Sequence, residues 1–186
     1  MSDSVHRHTI ITTFAGWTVL SALRRAPVKS KKHIYPLLAQ ISFGDLFGSA
    51  ASAIGEEEFS KWHQNSVKSI EAAEPDLGVG WAVKILNVYL KTAAYVGDLG
   101  RPGLQKLLHP PIDGGLWDGM KRWIAMSDLT KAERKELKQK THRVRKIKDI
   151  KDYGTYEAII NGCRAVALKI PCMLVEVDHL WEGAAA

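Results

Sequence analysis

The stretch from residue 76 to residue 96 constrains the fold most, because it predicts a helix that is apolar on almost every side. It opens with Gly78-Val-Gly80 and continues with large apolar side chains: Trp81, Val83, Ile85, Leu86, Val88, Tyr89, Leu90 and Val96. A helix without a broad polar face is covered by other elements all round. We therefore predict an all-α fold in which this helix lies at the centre.

Length and composition indicate one globular unit. A chain of 186 residues is long enough for one domain with a substantial core and too short for two ordinary domains. The hydrophobic share of 46% and the charged share of 25% are typical of globular proteins, and no apolar run approaches the roughly 20 residues that cross a bilayer. We expect a single compact helical domain over residues 1–186, with no membrane partner.

The first residues and the cysteines bear on the compartment. Thr9–Leu23 is too polar for the apolar centre of a signal peptide. Cys163 and Cys172 are the chain's two cysteines, and they show no metal-ligand spacing and no disulfide framework. We expect a protein of the reducing cytoplasm that holds no metal and no cofactor.

Other helices can be placed by their apolar spacing and by their ends. Residues 9–25 predict a first helix whose apolar side chains are Ile10, Ile11, Phe14, Trp17, Leu20 and Leu23. Three glutamates after Gly55 predict a helix start, because acids in a first turn complement the helix dipole, and Pro75 ends this helix. Residues 152–169 predict a last long helix, and 173–181 either a short strand or a helical turn that tucks Leu180 and Trp181 into the core.

The central helix carries one narrow polar stripe. Lys84, Asn87 and Lys91 are three or four residues apart and therefore share one face. This stripe is a solvated strip, or it is a place where an ammonium is poorly solvated. Poor solvation favours the free amine, which is a nucleophile.

The connection before this helix contains two glycines. Gly78 and Gly80 permit positive φ and a close approach of the backbone to another group. Two helices joined by such a hairpin can present backbone N–H groups to a phosphate. The alternative is an ordinary helix–helix turn.

Asp113 follows Pro110 and Pro111 and stands at the predicted start of another helix. An N-cap, whose carboxylate accepts the free N–H groups of the first turn, is one interpretation. Capping alone does not require the stiff Pro-Pro approach, so a functional carboxylate is the other interpretation.

The segment 131–151 carries the basic charge. It contains ten Lys or Arg against three acids, a local net charge of +7, whereas the whole chain carries +6. In the helix predicted after Thr130, the cations Lys131, Arg134, Lys135 and Lys138 share one face. That face is either solvated or in contact with phosphates.

Taken in order, the Gly78–Gly80 hairpin, the helix with Lys84, and Pro111-Ile112-Asp113 at a helix start resemble the helix-hairpin-helix DNA glycosylase superfamily. The resemblance covers about residues 56–126 and is nearest to the 8-oxoguanine-processing branches, including the archaeal type. Two departures are the position of Lys84, four residues beyond the second glycine, and Pro-Pro-Ile-Asp in place of Pro-Val-Asp.

The resemblance implies excision of a damaged base such as 8-oxoguanine from duplex DNA. Lys84 would attack the sugar C1′ and form a Schiff base, giving lyase activity, and ionised Asp113 would stabilise positive charge on the sugar. If Lys84 points elsewhere, Asp113 alone would orient water for a glycosylase without strand cleavage. The everted base would stack in a pocket to which Trp81, His109 or Trp117 contributes. Gly78 and Gly80 would hold a phosphate, and the basic segment would add salt-sensitive affinity for DNA.

Two other functions stay open. A non-catalytic helical module could use the same hairpin and basic segment to bind nucleic acid or to assemble with a partner protein. A hydrolase or nuclease built on His109, Asp113 and Asp118 is less favoured, because no metal cluster or nucleophile–base pair supports it. The glycosylase requires that the Lys84 amine and the Asp113 carboxylate face one cleft.

Overall fold

The computed structural model describes residues 2–48, 52–141, 144 and 146–181, and within them the chain forms helices and no strand. The all-α prediction is confirmed. The α-helices are α1 (Ser2–Ala22), α2 (Lys31–Ala39), α3 (Gly44–Phe47), α4 (Glu56–Ala73), α5 (Gly78–Leu90), α6 (Leu104–Leu107), α7 (Gly114–Met126), α8 (Lys131–Lys140) and α9 (Tyr153–Lys169). Short 3₁₀ turns lie at Pro75–Leu77, Ile147–Asp149 and Leu174–Leu180, and α5 continues as a π-helical segment, Lys91–Val96.

Helix α5 is the central helix, as its sequence predicts. It packs against α1, α4, α9 and the turn Ile147–Asp149. Nearly every one of its residues is buried, Lys84 and Asn87 among them. Since neighbours cover α5 on all sides, its two buried polar side chains can find partners only inside the protein.

Side chains cap the starts of α7, α8 and α9. The carboxylate of Asp113 accepts the Leu116 backbone N–H at the start of α7. At the start of α8, Thr130 and Glu133 form a capping box. Asp152 caps α9 by accepting the backbone N–H of Thr155. These side chains satisfy N–H groups that a helix cannot pair internally.

Helix α1 differs from its prediction in the face that it buries. Ala15, Val19 and, just beyond α1, Leu23 are buried, whereas Ile10, Phe14 and Trp17 point outward. Of the other predicted apolar side chains, Ile11 and Leu20 pack against the core. Pattern alone favoured the face with the larger apolar side chains.

The last described segment also differs from expectation. Residues 174–180 form a 3₁₀ turn that packs against α6, α7 and α9. Leu174, Val175 and Val177 supply its buried contacts, while Leu180 is half-buried and Trp181 is exposed at its edge. The turn therefore anchors the chain end through its earlier residues and leaves the Trp181 indole free to reach the start of α7.

Candidate active site

Lys84 and Asp113 meet directly. The Lys84 side chain leaves α5 as one of its buried residues, only 7% exposed, and its Nζ lies 3.0 Å from Oδ2 of Asp113. The same Nζ stands 5.7 Å from the centre of the Trp81 ring, on the preceding turn of α5. The structure thus brings together the amine and the carboxylate on which the sequence hypothesis depends.

Asp113 is held in place by two further hydrogen bonds. Its Oδ1 accepts the Leu116 N–H at 3.1 Å and the indole N–H of Trp181 at 2.8 Å. Trp181 comes this close because position 115 is glycine, where a Cβ would stand 2.2 Å from the indole nitrogen. Both carboxylate oxygens therefore have partners, and the orientation of the carboxyl group is fixed.

The pair lies in a cleft of about 980 Å³, here called the Lys84 cleft. The end of α1, one side of α5, the start of α7 and the last described turn form its walls. Residues with polar or aromatic groups in these walls are Thr18, Ser21, Arg24, Arg25, Trp81, Lys84, Lys91, Thr92, Asp113, Asp178 and Trp181. The cleft therefore combines aromatic surface with a positively charged rim, and its volume exceeds that of one nucleoside.

A second ion pair occupies the same cleft. Lys91, seven residues after Lys84 on α5, is paired with Asp178 of the last turn. The Lys91 side chain is 32% exposed, against 9% for Lys84. The polar stripe of α5 is thus not a solvated strip, because both of its lysines carry a buried or half-buried carboxylate partner.

A second cavity, here called the Trp117 pocket, adjoins the cleft. Its volume is about 810 Å³, and Trp81 and Arg25 line both spaces. Trp117 of α7 is 8% exposed, and its indole N–H has no hydrogen-bond partner in the part of the chain that the structure describes. A buried donor without a partner is uncommon, and here it belongs to a wall of a cavity.

His109 lies outside both cavities, which corrects its expected place in the base pocket. It belongs to a buried hydrogen-bonded network in which the Tyr156 hydroxyl contacts His109 Nδ1 at 2.7 Å and accepts from Asn87 Nδ2 at 2.9 Å. Asn87 Oδ1 accepts from Nε2 of His63 at 2.9 Å, and Nδ1 of His63 accepts from the Tyr153 hydroxyl at 2.8 Å. Asn87, the middle member of the stripe, therefore joins α5 to α4 and α9.

Burial keeps both histidines of this network neutral. Desolvation lowers the pKa of His63 to about 4, with the hydrogen bond to Asn87 opposing the shift. Desolvation, with smaller contributions from the charges of His63 and Arg164, also lowers the pKa of His109 well below its usual value. With His109 in this network and Asp118 exposed on α7, the structure does not bring the proposed hydrolase residues together.

The two hairpin glycines have different surroundings. Gly78 has a φ of 58°, which glycine adopts at little cost, and it lines the Trp117 pocket. A Cβ at Gly80 would lie 1.9 Å from the carbonyl oxygen of Ile147. The group that approaches Gly80 closely is thus the turn Ile147–Asp149 of the same chain and not a phosphate. Of the two glycines, Gly78 is the one that lines the Trp117 pocket.

The basic segment divides into parts. On α8, Lys131, Lys135 and Lys138 are exposed, but the Arg134 guanidinium donates to the carbonyls of Ser127 and Leu129 and so holds the α7–α8 connection. Beyond α8, the Trp117 pocket is bordered by Lys146, Lys148 and Lys151. Arg143 and Arg145 lie outside the described residues.

Several residues of the cleft were absent from the sequence hypothesis. Arg24, Arg25 and Asp178 carry no motif, and Trp181 was expected in the core. The chain brings them together from its first helix and its last turn, more than 80 residues from Lys84 in the case of Asp178 and Trp181. No local pattern reports such a distant contact.

Comparison with protein-family models, with curated proteins and with solved structures found no significant match to this chain. Within the described residues, no group of three His, Cys, Asp or Glu side chains could hold a metal ion. In the same part of the chain no single helix is long and apolar enough to cross a membrane; α9 and the turn Leu174–Leu180 reach that length and composition only together, bent by 82°.

Proposed function

We propose that this protein is a DNA glycosylase with lyase activity that removes a damaged or modified base from an everted nucleotide. The observation that carries the proposal is the 3.0 Å contact between the Lys84 amine and the Asp113 carboxylate in a cleft with aromatic and cationic walls. Base-excision chemistry needs a nucleophile and an anion at one point of a cavity that admits a nucleoside.

Each group of the pair has a defined role in this reaction. The Lys84 ammonium gives up one proton, which the departing base takes up. The freed amine donates its lone pair to C1′ of the sugar as the bond from C1′ to the base breaks. Asp113 stabilises the positive charge that develops on the sugar ring. Opening of the sugar gives a Schiff base at Nζ, from which loss of the C2′ proton and of the 3′ phosphate cleaves the strand.

The Trp117 pocket offers a place for the base itself. Trp81 and Gly114 line both this pocket and the Lys84 cleft, so a base in the pocket would have its sugar beside Lys84 and Asp113. Trp117 lines this pocket and is 8% exposed, so its ring offers a surface on which a flat base such as 8-oxoguanine would stack. Trp117→Ala removes that surface, so we expect it to lower base excision while leaving the Schiff base at an abasic site intact.

Phosphate contacts would come from three groups of cations. Arg24 and Arg25 stand at the rim of the Lys84 cleft, and Lys146, Lys148 and Lys151 border the Trp117 pocket. Lys131, Lys135 and Lys138 are exposed on α8, earlier in the basic segment. Such contacts give affinity that falls as salt rises and does not depend on sequence.

Borohydride trapping tests the nucleophile. The protein is incubated with duplexes that carry 8-oxoguanine, uracil or an abasic site, and borohydride reduces any Schiff base to a permanent cross-link. We expect Lys84→Ala to abolish the cross-link and Lys91→Ala, the matched change in the same cleft, to retain it. A cross-link that survives Lys84→Ala and disappears with Lys91→Ala would move the nucleophile to Lys91.

Asp113→Asn tests the charge of the carboxylate while keeping the cap of α7. The amide oxygen of asparagine can still accept the N–H groups of Leu116 and Trp181. Its amide nitrogen would face the Lys84 ammonium, so the melting temperature should fall, and base release is measured well below it. We expect base release by the folded variant to fall about 100-fold. An undiminished rate of base release would remove Asp113 from the reaction.

A second function is a non-catalytic nucleic-acid-binding module, and one observation favours it. Both oxygens of Asp113 already have partners, as they would if the carboxylate were a helix cap neutralised by a buried lysine. In that case no duplex gives a cross-link or releases a base, while DNA binding persists and remains sensitive to salt.

A further inference from the structure

The beginning of the chain carries a second concentration of positive charge. Residues 5–33 contain six Lys or Arg and neither Asp nor Glu, so this stretch has a net charge of +6. These cations are Arg7, Arg24, Arg25, Lys29, Lys31 and Lys32. The segment 131–151 is therefore not the only source of the positive charge, and the remaining residues of the chain are acidic overall.

Helix α1 also exposes large apolar side chains. Ile10, Phe14 and Trp17, here called the α1 ridge, are spaced four and three residues apart and so share one face. They are 68%, 48% and 59% exposed, and the Phe14 and Trp17 rings lie 5.7 Å apart. Isolated exposed apolar residues are ordinary, but three on one face with two adjoining rings form a continuous patch.

The α1 ridge leads into the Lys84 cleft. Ser21 follows Trp17 by four residues and so shares its face of α1, and Arg24 stands just beyond the end of the helix; both line the cleft. Arg7, three residues before Ile10, stands at the other end of the ridge. The rings thus lie between cations on a surface continuous with the cavity.

From this arrangement we infer that the outer face of α1 binds single-stranded nucleic acid, with bases stacked on Trp17 and Phe14 and the backbone held by Arg24 and its basic neighbours. Exposed rings with cations beside them are features of surfaces that hold single strands without sequence preference. An anionic lipid surface would instead select a helix with cations on the face opposite the apolar one. The inference rests on the proposed glycosylase function in one respect: such an enzyme would use this surface, beside its cleft, for unpaired nucleotides next to the everted one.

Fluorescence anisotropy with an undamaged labelled oligothymidylate of about 20 nucleotides tests this inference, because binding is measured without any excision. We expect Trp17→Ala to weaken affinity roughly tenfold and Phe14→Ala to weaken it several-fold, as loss of base stacking does. Arg24→Gln should lower the slope of log affinity against log salt by about 0.7. The matched control is Leu168→Ala on α9, which removes an apolar side chain that is 83% exposed elsewhere and should leave affinity unchanged.

Three results would overturn the inference: no binding of the oligothymidylate, equal affinities for Trp17→Ala and Leu168→Ala, or a Trp17-dependent attachment to phosphatidylglycerol vesicles with oligonucleotide affinity unaltered. The glycosylase proposal fails on a different measurement, the borohydride cross-link. Binding that depends on the α1 ridge, without any cross-link, would therefore support this inference and refute the glycosylase proposal. A cross-link without ridge-dependent binding would support the glycosylase proposal and refute this inference.

Discussion

The buried histidine His63 makes the stability of this protein depend on pH above the range in which carboxylates titrate. His63 binds a proton readily in the unfolded chain, with a pKa near 6.5, whereas burial lowers its pKa to about 4 in the folded protein. Acid therefore favours the unfolded state. The stabilising effect of the neutral histidine is complete above pH 6.5 and is lost as pH falls from 6.5 toward 4.

The size of the effect follows from the two pKa values. One pKa unit corresponds to about 1.4 kcal/mol, so lowering the pH from about 7.5 to about 5 should cost about 2 kcal/mol through His63 alone. The pKa of His109 is lowered in the same direction and adds to the loss. Stability of an ordinary domain is only 5–15 kcal/mol, so this loss is easily measured.

Urea unfolding followed by circular dichroism measures the free energy at each pH. The matched variant is His63→Gln, whose amide can donate to Asn87 and accept from Tyr153 without titrating. We expect this variant to lose about 2 kcal/mol less than the wild type over the interval. His33→Gln, at an exposed histidine, should follow the wild type. Equal losses for wild type and His63→Gln would refute the reasoning.

Three further predictions concern the fold around the site. Gly80→Ala should destabilise the protein by about 1–3 kcal/mol, because the new methyl group would collide with the Ile147 carbonyl. Gly114→Ala should not destabilise it, because a methyl group there meets nothing within 4 Å. Thermal unfolding of both variants measures the difference. Trp181→Phe removes the indole donor to Asp113 and should cost about 1 kcal/mol in urea unfolding, while Trp181→Tyr, which also lacks that nitrogen, should show the same loss. Asp152→Ala should lose about 1 kcal/mol through the missing cap of α9, and Asp152→Asn should recover most of it, since asparagine caps nearly as well; an equal loss in both would mean that capping is not the cause.

Local chemistry predicted much of the fold. The apolar surround of α5, the acids that open α4 at Glu56, and the caps Asp113 and Thr130 are properties of short stretches, and the structure confirms each of them. The helix-hairpin-helix motif stays a prediction, although α4 and α5 are joined by a tight turn that ends at Gly78. The roles of Lys84 and Asp113 in catalysis likewise stay predictions.

The errors arose where distant parts of the chain compete for one surface. The spacing of Ile10, Phe14 and Trp17 suggested a buried face of α1, but spacing does not reveal which face the neighbouring helices cover. They cover the face with Ala15, Gly16 and Val19. Trp181 was expected in the core because local pattern does not reveal its hydrogen bond to Asp113, which is 68 residues away in the chain. His109 was assigned to a base pocket because no local pattern shows that its partner is Tyr156, which lies on another helix.

By itself, then, the sequence determined that the chain forms helices, that α5 is central and carries a lysine, and that an aspartate stands at the start of a later helix. Periodicity, capping and apolar patterning act over a few neighbouring residues, so they can be predicted from the sequence alone. Only the tertiary structure decided that Lys84 and Asp113 touch and that Trp181, Arg24 and Arg25 complete a cleft around them. The physical reason is that these contacts depend on how whole helices pack together, and the packing of each helix depends on all of its neighbours.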